Sequence, residues 1–127
     1  MLCIMGAFLN QPNQDPMNAQ EKKAIDWKSL GFEYTKTDYR FSALYENGQW
    51  SEGELSTDEF LHLHEGSPAL HYAQQCFEGM KAQTSKDGRV LLFRPQMNCQ
   101  RMQNTSDRLS MPRVPEELFL HGVKEAV

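Results

Sequence analysis

The hydrophobic and polar residues of the chain alternate in a way that predicts a β-hairpin over residues 39–50. Residues 39–45 alternate as a half-buried strand does. Asn47 and Gly48 follow, and both tolerate the positive φ angles of a tight type I′ turn. The return strand is predicted to begin at Gln49. This is the strongest local structural signal in the sequence.

A second hairpin is predicted nearer the middle of the chain. Residues 76–82 and 90–93 are interpreted as its two strands, and Asp87-Gly88 supplies its turn. Residues 59–64 also alternate between polar and apolar side chains and are predicted as extended chain. A glycine and a proline end that alternation, and a short helical or irregular segment is predicted to follow as far as Gln75.

Helices are predicted on both sides of these hairpins. A short helix is expected from about Ala19 to Leu30, with Gly31 as its stop. Residues 95–109 have the helical period, with core-facing positions at spacings of three, four and three: Cys99, Met102, Ser106 and Leu109. A last helix opens at Pro115, where a proline and two acidic residues suit a first turn.

These elements predict an α+β fold in which an antiparallel, hairpin-rich sheet has helices packed on one side. Residues 1–24 are expected to be a poorly ordered lead-in, because residues 10–20 are rich in Gln, Asn and Pro. Residues 25–127 then form one domain. The apolar stripe of the last helix continues to Val127 without a cap, so we expect the chain to be a truncated part of a longer protein.

Composition narrows the classes of function. The net charge of -4 argues against nonspecific binding to nucleic acid, which needs excess Lys and Arg. Three cysteines without CxxC spacing indicate neither a disulfide framework nor a zinc ribbon, and they suit the reducing cytoplasm. The apolar residues 1–9 lack a preceding positive charge and are too few to cross a bilayer. We therefore expect no membrane partner.

Three arginines are spaced by seven residues: Arg94, Arg101 and Arg108. Seven residues are nearly two helical turns, so Arg101 and Arg108 share one helix face and are candidate ligands for a phosphate. The residue pattern alone favours a solvated basic face instead. Tyr72 and Phe77 are likewise most simply interpreted, on their own, as packed in the core.

The histidines and carboxylates give weaker signals. Alternation places His62 and His64 on one face, where His71 or Cys76 would complete a metal set. Pairs of exposed histidines are common on surfaces and no closing CxxC or HxxxH element is present, so no metal site is predicted. Glu65 and Glu78 have no base near them in the sequence, and both are interpreted as structural.

Residues 68–82 resemble the fold-type IV aminotransferases, which use pyridoxal 5'-phosphate. Three flanking blocks are similar to the branched-chain amino acid aminotransferases in particular: Thr37-Asp38-Tyr39-Arg40-Phe41, Glu52-Gly53-Glu54-Leu55 and Ser106-Asp107-Arg108-Leu109-Ser110-Met111-Pro112. The resemblance covers residues 25–127 and implies the small, N-terminal domain of such an enzyme. The sister enzymes of this fold, D-amino acid aminotransferases and aminodeoxychorismate lyases, lack the first two blocks.

The resemblance assigns roles to three residues. Arg101 occupies the position whose arginine binds the cofactor phosphate in the family. Phe77 matches a phenylalanine that walls the pocket for the aliphatic substrate side chain, and Tyr72 matches a tyrosine that projects toward the substrate pocket of the partner subunit. The lysine that forms the Schiff base lies in the family's second domain, so no catalytic residue is expected within this chain.

The implied parent activity is amino transfer from leucine, isoleucine or valine to 2-oxoglutarate by a cytoplasmic homodimer. The chain by itself is expected to be inactive. The alternative is a free-standing, non-catalytic domain whose role is dimerisation or interaction with a partner. A Schiff base formed with a specific lysine of this chain would contradict that alternative.

Overall fold

The computed structural model describes residues 31 and 33–127, and the backbone of residues 2–5. Its elements in chain order are β1 (Leu2–Met5), β2 (Arg40–Ala43), β3 (Tyr45–Glu46), β4 (Gln49–Trp50), β5 (Glu54–Ser56), α1 (Pro68–His71), β6 (Ala82–Thr84), β7 (Val90–Leu92), α2 (Pro95–Arg108) and α3 (Glu116–Ala126). The predicted α+β class with antiparallel strand pairs and helices is confirmed.

The largest described sheet has the strand order β1-β2-β5, and both pairings are antiparallel. Met5 pairs with Arg40, and Arg40 pairs with Ser56 on its other side. The predicted lead-in over residues 1–24 therefore includes a strand at Leu2–Met5. Its other residues, like the helix predicted over residues 19–30, lie outside the described part of the chain.

The first predicted hairpin is confirmed at its turn. Asn47 has a φ of 52° and Gly48 a φ of 84°, the two positive angles that a type I′ turn requires. The single strand predicted over residues 39–45 is instead broken at Leu44. The Leu44 N–H donates to the Ser51 hydroxyl at 3.0 Å, while the Ser51 N–H donates to the Leu44 carbonyl at 2.8 Å, so a side chain replaces one of the two backbone bonds at this point.

The second hairpin turns where the sequence predicts, because the Gly88 N–H donates to the Ser85 carbonyl at 3.0 Å. The prediction of a strand over residues 76–82 is wrong in extent. Only Ala82–Thr84 pairs with Val90–Leu92. Residues 76–81 lack a strand ladder within the described chain, although their exposure alternates as it does in a strand.

Residues 59–64 form no strand, so the alternation there does not mark a paired element. Their apolar side chains are exposed on both sides of the alternation: Phe60, Leu61 and Leu63. The backbone is instead held by side chains. Arg40 Nη1 donates to the Phe60 carbonyl at 3.0 Å, and the Phe60 N–H donates to Asp58 at 2.9 Å.

The two long helices agree with their predicted periods. Helix α2 ends one residue before the predicted boundary, and Cys99, Met102 and Ser106 are buried on one side of it. Helix α3 begins at Glu116, so Pro115 caps the helix rather than opening its first turn. Both helices meet strand β2 in one core, which has seven buried members among the described residues: Phe41, Ala43, Cys99, Met102, Val114, Phe119 and Val123.

Gly53 is required by the packing of Phe41. Its φ is 86°, and a Cβ built on it would lie 2.2 Å from Cζ of the buried Phe41 ring. Gly48 has a similar φ of 84° but has nothing within 4 Å of that position. The two glycines therefore share the backbone requirement and differ in the space around them.

We predict that Gly53→Ala destabilises the domain by about 3 kcal/mol, since left-handed strain adds to overpacking of the core. Gly48→Ala is the matched control and should cost only about 1–2 kcal/mol, the backbone strain alone. Urea unfolding of both variants measures the difference. Equal losses of unfolding free energy in the two variants would show that the Phe41 ring moves aside at no energetic cost.

Candidate functional site

The segment of residues 73–81 positions the candidate site. Gln74, Cys76, Glu78 and Met80 are partly buried, and the residues between them are exposed. Phe77 is 93% exposed, whereas the side chain of the next residue, Glu78, is 7% exposed. This alternation turns an aromatic ring outward and a carboxylate toward helix α2.

Helix α2 meets the carboxylate with two side chains one turn apart. Arg101 Nε donates to Glu78 Oε2 at 2.8 Å, and Arg101 Nη2 donates to Oε1 of the same carboxylate. Asn98 Nδ2 donates to Glu78 Oε1 at 2.7 Å and to the Gly79 carbonyl at 3.1 Å. Because residues three apart share a helix face, one helix surface holds both the side chain and the backbone of the segment. We call these four residues the Glu78–Arg101 cluster.

The opposite charges of Glu78 and Arg101 stabilise each other. The hydrogen bond from Arg101 holds the pKa of Glu78 below its ordinary value of 4.5, and the Asn98 amide acts in the same direction. Burial of the carboxylate opposes this shift. The same pair raises the pKa of Arg101. Glu78 is therefore ionised and Arg101 protonated at neutral pH.

Arg101 keeps unused donors on its solvent side. An arginine has five N–H groups, and Glu78 takes one from Nε and one from Nη2. Three N–H groups remain outside the pair, and the side chain is 68% exposed. Both ends of α2 also carry arginines: Arg94 is the cap residue, with a φ of 48°, and Arg108 is the last helical residue. Of the three, Arg101 is the one joined to the 73–81 segment.

Tyr72 and Phe77 both face outward. Tyr72 is 85% exposed, so the interpretation of these two aromatics as core residues is wrong. Between them, Ala73 has a φ of 50°, and Gln74 Nε2 donates to the Leu109 carbonyl at the end of α2 at 2.8 Å. The chain thus carries two large exposed rings on a segment that is anchored to α2 at two points.

Glu78 and Asn98 were missed as site residues by the sequence analysis. Glu78 had no partner nearby in the sequence, because its partner Arg101 lies 23 residues away on another element. The sequence did contain one usable signal. Asn98 and Arg101 present two donors at helical spacing, and Glu78 is the one acidic residue among the alternate positions Gln74, Cys76, Glu78 and Met80.

A separate cleft lies beside strands β2 and β5. This cleft of about 130 Å³ is bordered by residues from two segments: Tyr34, Thr37, Tyr39, Arg40, Ser56, Thr57, Asp58, Glu59 and Leu61. The Arg40 Nε atom is buried and has no partner within the described chain. Two acidic residues share this cleft, so its charge is mixed.

The histidines have local partners. His62 Nε2 lies 3.1 Å from Asp58 Oδ2, and His71 Nε2 donates to the Glu65 carbonyl at 2.6 Å. His64 Nδ1 accepts from the Gly66 N–H at 3.0 Å. Within residues 33–127, no group of three His, Cys, Asp or Glu side chains could hold a metal ion. The described part of the chain also contains no helix long and apolar enough to cross a membrane.

Comparison with known proteins places the sequence among transaminases. It is 63% identical over 105 residues to the branched-chain-amino-acid aminotransferase of Haemophilus influenzae, covering 83% of this chain and 31% of that protein. It is 56% identical over 103 residues to the enzyme of the same name in Helicobacter pylori, covering 81% of this chain and 30% of that protein. No family model matches the chain.

A more distant relative agrees with this assignment. Branched-chain-amino-acid transaminase 1 of Bacillus subtilis is 42% identical over 107 residues, which are 84% of this chain and 30% of that protein. The chain therefore belongs to the branched-chain amino acid aminotransferase family, and the resemblance seen in the sequence is confirmed. It spans about a third of the length of the curated relatives it matches.

The lowered pKa of Glu78 predicts a pH dependence of stability. The stabilisation from the pair is present at and above the ordinary pKa of 4.5 and is lost as the pH falls through the lowered pKa. We expect Glu78→Gln to lower the unfolding midpoint by about 2–5 °C at neutral pH. This difference from the unmodified chain should shrink as the pH falls below 4.5.

Thermal unfolding between pH 3 and 7 measures this effect. Glu52→Gln is the matched control, because it removes one carboxylate from an exposed position. It should leave the midpoint nearly unchanged across the range. A Glu78→Gln difference that stays constant down to pH 3 would contradict the assigned ion pair.

Proposed function

We propose that this chain is the small domain of a fold-type IV, pyridoxal 5'-phosphate-dependent aminotransferase that moves the amino group of leucine, isoleucine or valine to 2-oxoglutarate. The observation that carries the proposal is the 63% identity to a branched-chain-amino-acid aminotransferase over 83% of the chain. The domain includes residues 25–127, and strand β1 of the lead-in over residues 1–24 pairs with its sheet.

Arg101 is the proposed ligand of the cofactor phosphate. Its guanidinium is fixed on one edge by Glu78 and is exposed on the other, with N–H groups left to donate. A phosphate group accepts charge-assisted hydrogen bonds from such an arginine. When bound, pyridoxal phosphate supplies the electron sink for amino transfer. The role of Arg101 is to hold the anionic end of that group in place.

Phe77 and Tyr72 are the proposed substrate-facing residues. Large aromatic rings at 93% and 85% exposure are costly to leave in water. Phe77 offers an apolar wall suited to a branched aliphatic side chain, and Tyr72 offers a ring with a polar tip. We propose that a second subunit and the remainder of the enzyme complete this pocket, so that the functional assembly is a homodimer.

No residue of this chain is proposed to form the Schiff base. By analogy with the family, that lysine belongs to a segment outside these 127 residues. The unpaired Cys76 and Cys99 fit the proposed cytoplasmic location. Neither a nucleic-acid nor a membrane partner is proposed.

A chimera tests the proposal. The matching region of the Haemophilus influenzae aminotransferase is replaced by this chain, and leucine-to-2-oxoglutarate transfer is assayed. We expect the chimera to be active. Arg101→Ala should weaken its affinity for pyridoxal phosphate at least tenfold, since a charge-assisted contact is lost. A folded chimera without transaminase activity would contradict the proposal.

Phe77→Ala in the same chimera tests the substrate wall. We expect KM for leucine to rise about tenfold, with a smaller change for alanine, because the shorter side chain reaches less of the wall. Phe93→Ala is the control, since Phe93 is also an exposed ring, 84% accessible. Equal effects of both variants on leucine would refute the role of Phe77.

The isolated chain tests where the lysine lies. Incubated with pyridoxal phosphate and reduced with borohydride, it should give no stoichiometric adduct on a single lysine. Such an adduct would place a reactive lysine within this chain and overturn that part of the proposal. Mass spectrometry of the digested protein identifies the modified residue.

A further inference from the structure

The Glu78–Arg101 cluster holds the Arg101 side chain in one orientation, which a phosphate contact alone does not require. An exposed arginine normally samples many rotamers, and it loses that freedom when a ligand binds. Here Nε and Nη2 are already held on one carboxylate in a two-point pair. The plane of the guanidinium is therefore set before any anion arrives.

The carboxylate is itself held from a second direction. Asn98 donates to Glu78 Oε1 at 2.7 Å and to the next backbone carbonyl at 3.1 Å. This amide fixes both the side chain of Glu78 and the backbone that carries it. Rotation of Glu78 away from Arg101 would break bonds to two residues of α2.

The two charged groups also differ in their exposure to solvent. The Glu78 side chain is 7% exposed and the Arg101 side chain is 68% exposed. An anion that approaches from solvent meets the guanidinium before it meets the carboxylate. Repulsion from Glu78 therefore acts at a longer distance than attraction to Arg101, and orientation is gained at a small electrostatic cost.

We propose that Glu78, supported by Asn98, is a positioning residue that presets the Arg101 guanidinium for a phosphate monoester, with the outward N–H groups as donors. The inference rests on the proposed role of Arg101 and adds two residues that act through it. Glu78 itself touches neither cofactor nor substrate. Its effect is to lower the cost of ordering Arg101 when the phosphate binds.

The test uses the 127-residue chain within the cofactor-free chimera described above, where the remainder of the enzyme is present, and a probe that cannot form a Schiff base. Pyridoxine 5'-phosphate has the phosphate but no aldehyde, and pyridoxine without the phosphate is its matched control. The Nε–Hε resonance of Arg101, assigned with Arg101→Lys, reports both the order of the guanidinium and the binding of the probe. Each variant is first checked for an intact thermal unfolding transition.

In the unmodified chain, the Arg101 resonance should be sharp and should shift with pyridoxine 5'-phosphate but not with pyridoxine. Glu78→Gln should broaden the resonance and raise the Kd for the phosphate probe at least fivefold. Asn98→Ala should raise the Kd two- to fivefold, and Glu52→Gln should change it by less than twofold. If Glu78→Gln does not fold, Asn98→Ala decides the test.

Two results overturn the inference, and they can be told apart. If the unmodified chain shows no phosphate-dependent shift at Arg101, both the proposed phosphate ligand and this inference fail. If the shift is present but Glu78→Gln, or Asn98→Ala in its place, leaves the Kd unchanged or lowers it, Arg101 stands as a phosphate ligand and the positioning role is refuted. A lower Kd would identify Glu78 as a competitor of the phosphate.

Discussion

The two-point ion pair between Glu78 and Arg101 is the interaction on which the candidate site depends. Residues 76–81 have no strand ladder with any described residue, and side chains of helix α2 hold this part of the chain. Asn98 and Arg101 bind the segment at Glu78 and Gly79, and Gln74 binds the end of the same helix. The pair therefore decides both where the guanidinium points and which way Phe77 faces.

Helix α2 can serve as this anchor because another of its faces lies in the core. Cys99 and Met102 are buried with Phe119 and Val123 of α3 and with Phe41 of the sheet. The burial of these apolar side chains fixes the helix, and the helix fixes the polar cluster. Helix α2 thus connects the core to the site. One of its faces packs against apolar side chains, and another carries the outward-facing Arg101.

Features that depend on neighbouring residues were predicted from the sequence more completely than contacts between residues far apart in the chain. The Asn47-Gly48 turn and the period of α2 depend on neighbouring residues, and both are confirmed. The strand predicted over residues 76–82 was wrong in extent because alternation records which side chains are buried, while a strand also needs a neighbour to pair with. Glu78 was missed for a related reason: its partner lies 23 residues away, and no local pattern encodes that contact. The assignment of Arg101 came from family resemblance, since spacing alone favoured a solvated helix face.

Backbone ¹⁵N relaxation of the 76–81 segment tests the central claim most directly. If the Glu78–Arg101 pair holds this segment, the order parameters of Phe77 and Gly79 should be about 0.8 in the unmodified chain. In Glu78→Gln they should fall below about 0.6, while those of α2 stay unchanged. Order parameters that are the same in both proteins would contradict the account, because the segment would then be held by something other than this pair.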